Sequence, residues 1–128
     1  MTDRELISLA NEAMANSYSP YSHFPSGAAI ECDDGEVFTG CVIENAAFGH
    51  TLCAETVALS SAVAEGKRSF RRLAVISDGV NYTMPCGACR QMLAEFSPQL
   101  EILAVRGDGR YVSHTLDKLL PHPFTYRT

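Results

Sequence analysis

Three cysteines and one glutamate constrain this chain more tightly than any of its other residues. Cys53 is followed by Ala54 and Glu55, and further along Pro85 introduces the run Cys86-Gly87-Ala88-Cys89. Two cysteines with two residues between them turn their sulfurs toward one metal ion, and Cys53, at the start of another helix, offers a third ligand. A fold that uses all three must set the beginnings of two helices side by side. Three thiolates leave one tetrahedral position of a zinc ion open. A catalytic site needs that position and a structural site closes it, because the open position takes up a water whose acidity the metal raises. Glu55, in the first turn after Cys53, can reach that position without ligating, and a carboxylate there can shuttle protons. The helix N-termini beneath Cys53 and Cys86 present free N–H groups and positive dipole ends, which favour thiolate over thiol.

Each piece has a plainer reading. A lone C-x-x-C is also a redox pair or half of a structural zinc site. A structural zinc wants four protein ligands and has no use for Glu55. The remaining thiols, Cys32 and Cys41, fall on expected strands, where cysteine is by default a small buried hydrophobe. His50 could close the site but is cut off from Cys53 by the helix start, and His23, His114 and His122 have no metal spacing.

The rest of the chain describes the scaffold. Its 128 residues, 46% apolar and 20% charged, suit one domain spanning 1–128 with a real core. No apolar run approaches the ~18 residues of a membrane span, so no membrane partner is expected. A net charge of −5 argues against a nucleic acid polymer as partner, because phosphate binding rests on concentrated positive charge. The basic group Lys67, Arg68, Arg71 and Arg72 reads as a solvated loop edge. The acidic residues Asp3, Glu5 and Glu12 near the N-terminus are unlike a signal peptide. The expected location is therefore cytoplasmic, and the expected partner of so acidic a chain is a small molecule; five cysteines, an odd number kept free in a reducing compartment, favour metal binding over a disulfide framework.

Apolar spacing predicts a first helix over Asp3–Ala15 and a loop over Ser17–Ser26. Strands follow at Gly27–Cys32 and Glu36–Ile43, joined at Asp33-Asp34-Gly35. Helices over Leu52–Ala64, ended by Gly66, and Pro85–Phe96 alternate with strands Leu73–Ser77 and Ile102–Arg106. Tyr111–Ser113 reads as a last strand and Leu116–Leu120 as a short helix. The expected fold class is α/β, a three-layer α/β/α sandwich with a mixed sheet of about five strands.

Cys53-Ala54-Glu55 with Pro85-Cys86-x-x-Cys89 resembles the signature of the zinc-dependent cytidine deaminase family, of the small homotetrameric type related to blasticidin-S deaminase. The likeness extends to Tyr18-Ser19-Pro20-Tyr21-Ser22-His23-Phe24 with Gly27-Ala28-Ala29, to Ile43-Glu44-Asn45-Ala46, to Cys89-Arg90-Gln91, and to Leu119-Leu120-Pro121 with Phe124. It implies one Zn²⁺ per subunit on Cys53, Cys86 and Cys89, Glu55 as the proton carrier, and hydrolytic deamination of cytidine or deoxycytidine in pyrimidine salvage. Phe24 would pack on the base, Glu44 would accept from a sugar hydroxyl, and Val42, Phe48 and Ala54 would line the substrate site. Phe124 and Ala46 would act across the interface of a homotetramer. Thr56 and Arg90 would lie behind the metal ligands. No organic cofactor is implied.

Some residues depart from the family pattern. Val42 stands where the family usually has an Asn that shares the sugar hydroxyl with the Glu. Ala47 and Phe48 replace the more usual Ser and Tyr, and Thr56 replaces a common Arg. These exchanges remove polar groups and raise the expectation of an altered sugar or base preference, with a blasticidin-type nucleoside as the alternative substrate. A non-catalytic zinc-binding relative is the remaining alternative. Without an Arg at 56, Arg90 and the helix N-termini are expected to offset the negative charge of the thiolates.

Overall fold

The computed structural model describes residues 1–126. Helix α1 spans Asp3–Met14. Its N-terminus is closed by a capping box, with Glu5 N–H donating to Thr2 Oγ1 at 3.1 Å and Thr2 N–H donating to Glu5 Oε1 at 2.8 Å. Strands β1 (Ser26–Cys32) and β2 (Val37–Cys41) form a hairpin. Helix α2 (Ala54–Ala64), strand β3 (Phe70–Ser77), helix α3 (Gly87–Phe96), strands β4 (Glu101–Val105) and β5 (Tyr111–Thr115) and helix α4 (Leu116–Leu119) follow. Gly66, at φ 90, stops α2 in the left-handed conformation.

The five strands form one mixed sheet in the order β2-β1-β3-β4-β5. Only β3 and β4 run parallel, because α3 carries the chain from one to the other. Leu73 and Val75 point to one face and Ala74 and Ile76 to the other, so the stretch of β3 from Leu73 to Ile76 is apolar on both faces, as a strand covered on both sides must be. On one face Leu6, Ile7 and Ala10 of α1 pack on Ala29, Ala74 and Leu103. On the other, Ala58 and Leu59 of α2, Leu93 of α3 and Leu116 of α4 pack on Ile30, Leu73 and Ile102. Each fully buried Leu or Ile contributes about 1.5–3 kcal/mol. The expected α/β/α sandwich with a mixed five-stranded sheet is the observed architecture.

Several boundaries move. β2 ends at Cys41 rather than Ile43: Val42 N–H still reaches Ser26 O of β1 (3.1 Å), but the bonds beyond go to Tyr18, whose N–H donates to Val42 O (2.9 Å) and whose carbonyl accepts from Glu44 N–H (2.8 Å). Ile43 and Leu52 exchange a pair of backbone bonds, each 2.9 Å. That bridge keeps Leu52 extended, so α2 begins at Ala54 rather than Leu52. Pro85 stays outside α3, whose N-cap is Cys86. β3 begins earlier, at Phe70, and β5 runs on to Thr115. The basic group is not one solvated edge. Lys67 pairs with Asp34 (2.8 Å) and Glu36 (3.1 Å), whereas Arg72 is largely covered and bonds Glu31 and Asp3, each at 2.7 Å. Glu31 is itself only 2% exposed, which is why β3 keeps a cation opposite it.

Candidate metal centre and substrate cleft

Three chain segments leave the sheet at one end, where Ser26 pairs with Ser77 and Gly27 with Cys41. Two of them run into helices whose N-cap is a cysteine. Cys53 (φ −70, ψ 154) precedes α2 and Cys86 (φ −68, ψ 169) precedes α3, and neither makes the side-chain cap bond that Ser or Asp would make there. Their carbonyls accept the first helical bonds, from Val57 at 3.1 Å and Arg90 at 2.9 Å. Both sulfurs thus stand at the positive end of a helix. Cys89, in the first turn of α3, supplies the third sulfur.

Cys53 Sγ lies 3.9 Å from Cys86 Sγ, and Cys86 Sγ lies 3.4 Å from Cys89 Sγ. All three lie within 4.8 Å of one another. Tetrahedral zinc with bonds of about 2.3 Å sets its sulfurs about 3.8 Å apart, so the observed cluster fits the ion with little rearrangement. Cys53 pressed against it, together with burial, pushes the Cys89 thiol well above its ordinary range. A cation among the sulfurs is what would release that proton.

Glu55 is buried, and burial raises its carboxyl above the ordinary range, opposed by its own backbone N–H and by Cys89. It is therefore suited to holding a proton. Thr56 Oγ1 lies 3.5 Å from Cys89 Sγ. Arg90, expected to offset the thiolate charge, bonds two carbonyls: Nε donates to Pro85 O at 2.8 Å and Nη1 to Leu119 O at 3.0 Å. Its visible work is to fix the residue before Cys86 and to tie α3 to α4.

A cleft of roughly 210 Å³ opens beside the thiols. Cys53, Ala54, Glu55 and Cys86 line it together with Phe24, Val42 and Glu44, so seven of the residues singled out from the sequence share one cavity. Phe48 lies outside it, in an adjoining hollow that shares Ser22 and Glu44, with its ring edge-on to Tyr21 at 5.9 Å. Ala46 is exposed, and Phe124 is 75% exposed and lines neither cavity. Gln91 clamps the Phe124 backbone, donating from Nε2 to its carbonyl (2.9 Å) and accepting its N–H (3.0 Å). A larger, shallower hollow beside α1 holds none of the thiols nor Glu55.

The sequence reading missed four lining residues, Ser22, Ser26, Thr83 and Met84. Thr83 and Met84 immediately precede Pro85-Cys86, which was the available signal for them. Ser22 and Ser26 lie in the expected loop whose likeness to the family gives a substrate role to Phe24 alone.

Residues 1–104 match the family model for the cytidine and deoxycytidylate deaminase zinc-binding region. The chain is 42% identical over 126 residues to the cytidine deaminase of Sporosarcina psychrophila, covering 98% of this chain and 93% of that protein. It is 31% identical over 131 residues to the blasticidin-S deaminase of Bacillus cereus, covering 96% and 92% respectively. Among solved structures, the cytidine deaminase of Burkholderia pseudomallei superposes with a TM-score of 0.94 at 42% identity, covering 97% of this chain and all of that one.

Proposed function

This chain belongs to the cytidine and deoxycytidylate deaminase family, and from that membership we propose that its cleft carries out the zinc-dependent hydrolysis of cytidine or deoxycytidine to uridine or deoxyuridine and ammonia. The observation that carries the reading is the convergence of three cysteine sulfurs, two of which, from Cys53 and Cys86, line one cleft with the buried Glu55. Cys53, Cys86 and Cys89 would hold the ion. Zinc, when bound, supplies a Lewis acid and a water activated near neutral pH.

The protein's own groups do the rest. Glu55 takes a proton from the attacking water and delivers it to N3 of the pyrimidine, then assists the departure of the amine as ammonia. Its burial supports that role, since a carboxyl raised by desolvation gives up and retakes a proton readily. Phe24 packs against the base, and Ala54 closes the wall beside it. Glu44 accepts from a sugar hydroxyl, with Val42 as its apolar neighbour.

The exposed positions of Ala46 and Phe124 support an assembly, a homotetramer in which both reach a neighbouring cleft. Five cysteines without a disulfide support a reducing, cytoplasmic location, and the substrate supports a place in pyrimidine salvage. Among the described residues no helix is long and apolar enough to cross a membrane.

The test is an ultraviolet assay of amine loss from cytidine, deoxycytidine, dideoxycytidine and a blasticidin-type nucleoside. Cytidine and deoxycytidine are expected to be the preferred substrates. Glu55→Gln should retain zinc and lose activity by about 10²- to 10⁴-fold. Preference for the blasticidin-type compound would shift the substrate reading toward the Bacillus cereus relative. Ammonia release from none of them by zinc-loaded protein would sink the enzymatic reading.

A further inference from the structure

Much of the hydrogen-bonding capacity of Glu44 is spent inside the chain. Its Oε1 accepts from the backbone N–H groups of Tyr21 (2.9 Å) and Ser22 (3.1 Å), and its Oε2 accepts from Ser22 Oγ. With its proton given to Glu44, Ser22 Oγ accepts from Phe24 N–H at 3.0 Å. A carboxylate offers about four lone-pair directions. Three are taken, and the one left is on Oε2.

The loop that carries these bonds is held in an unusual shape. His23, between Ser22 and Phe24, has φ 58, the left-handed region, which a residue other than glycine keeps only where its surroundings fix it. Its N–H is tied to Ser19 O at 3.0 Å. The Phe24 ring backs onto the loop after β3, where a Cβ at Gly79 would lie 3.4 Å from Phe24 Cε1. The loop after β3 thus backs the ring, and Ser22 holds its backbone.

We infer that Ser22 is a positioning residue of the cleft, its hydroxyl both orienting the free lone pair of Glu44 Oε2 and tethering Phe24 beside it. The inference rests on reading the cleft as a nucleoside site. Only a group that donates and accepts at once can join a carboxylate to an amide N–H, so a hydroxyl is required. Glu55 and Cys89 stand on α2 and α3, Cys53 and Cys86 cap them, and none takes part in this loop's hydrogen bonds. Loss of the hydroxyl should therefore weaken substrate binding and leave the proton transfers intact.

The experiment compares wild-type zinc enzyme with Ser22→Ala and Ser22→Thr by steady-state kinetics with cytidine, zinc content, and hydrogen exchange of the Phe24 amide by NMR. Ser22→Ala should raise KM about fivefold with kcat within about twofold, the size of one lost hydrogen bond. Its zinc content should be unchanged and its Phe24 amide should exchange faster, and Ser22→Thr should restore both. An active wild type with KM and Phe24 exchange unmoved in Ser22→Ala overturns the inference, as does equal loss in both variants with falling zinc content. A wild type silent on every cytosine nucleoside overturns the nucleoside reading instead, and the Phe24 amide still decides whether Ser22 holds the loop.

Discussion

Thr56 follows Glu55 in the first turn of α2, and its hydroxyl lies 3.5 Å from Cys89 Sγ and 3.7 Å from Met92 Sδ. A metal-bound thiolate has no proton to give, so in the zinc protein Thr56 must be the donor. Three thiolates leave the zinc centre with a net negative charge, and hydrogen bonds from outside the ligand set stabilise it. Arg90 gives two of its five N–H donors to the carbonyls of Pro85 and Leu119, and Thr56 is the side-chain hydroxyl beside Cys89. Thr56→Val keeps the shape and deletes the donor, and the loss of such an outer partner typically costs about tenfold in metal affinity or more. Competition against a chromogenic zinc chelator should therefore show about tenfold weaker retention with the helix content unchanged. Equal retention would mean that the hydroxyl serves only Met92.

Among the elements, the seating of α2 on β2 decides where Cys53 and Glu55 stand. A Cβ at Gly40 would lie 2.5 Å from Ala54 O and 2.6 Å from Ala58 N, both backbone atoms that cannot step aside. Gly40→Ala must push α2 off the sheet, at about 1–3 kcal/mol for overpacking, and the start of that helix carries the ligand and the proton carrier. Thermal melts and zinc analysis should show a lower Tm and reduced zinc content together; a lower Tm with full zinc occupancy would place the displacement elsewhere. This seating was not legible in the sequence, where Gly40 was one more residue of an expected strand. The amphipathic spacing of Leu6, Ile7 and Ala10 and the apolar run of β3 were legible, because burial on one stripe or on two faces leaves a periodic trace. The C-x-x-C spacing was legible for the same kind of reason, since a local geometric demand fixes it. The starts of α2 and α3 were legible only to within two residues, because their first residues, Ala54 and Gly87, depend on the Ile43–Leu52 bridge and on cysteines acting as N-caps. Neither an isolated bridge nor a cap without its side-chain bond has a pattern to read. Ser22 was invisible as well, since its partner Glu44 is distant in sequence.

Across the whole molecule, the metal centre joins two helix starts that the sheet already brings together, and the two cores on either side of the sheet contain neither Cys53 nor Cys86. This arrangement differs from that of a small zinc module, whose fold is created by the ion. Leu73, Ile102 and Leu103 are fully buried without any help from the thiols, so the apoprotein should remain folded. Zinc bound only by the folded state still stabilises it by mass action, by about 2.7 kcal/mol at a hundredfold excess over Kd. For a chain of this size that corresponds to roughly 10 °C in Tm. A chelator should therefore lower Tm by about that amount while the far-ultraviolet circular dichroism below the transition stays native, and added zinc should restore it. Cys53→Ser removes a ligand, and its Tm should sit near the chelated wild-type value and respond weakly to either reagent. If chelation instead abolished the secondary structure at room temperature, the ion would be holding the sandwich together, and the assignment of stability to the two apolar cores would fail.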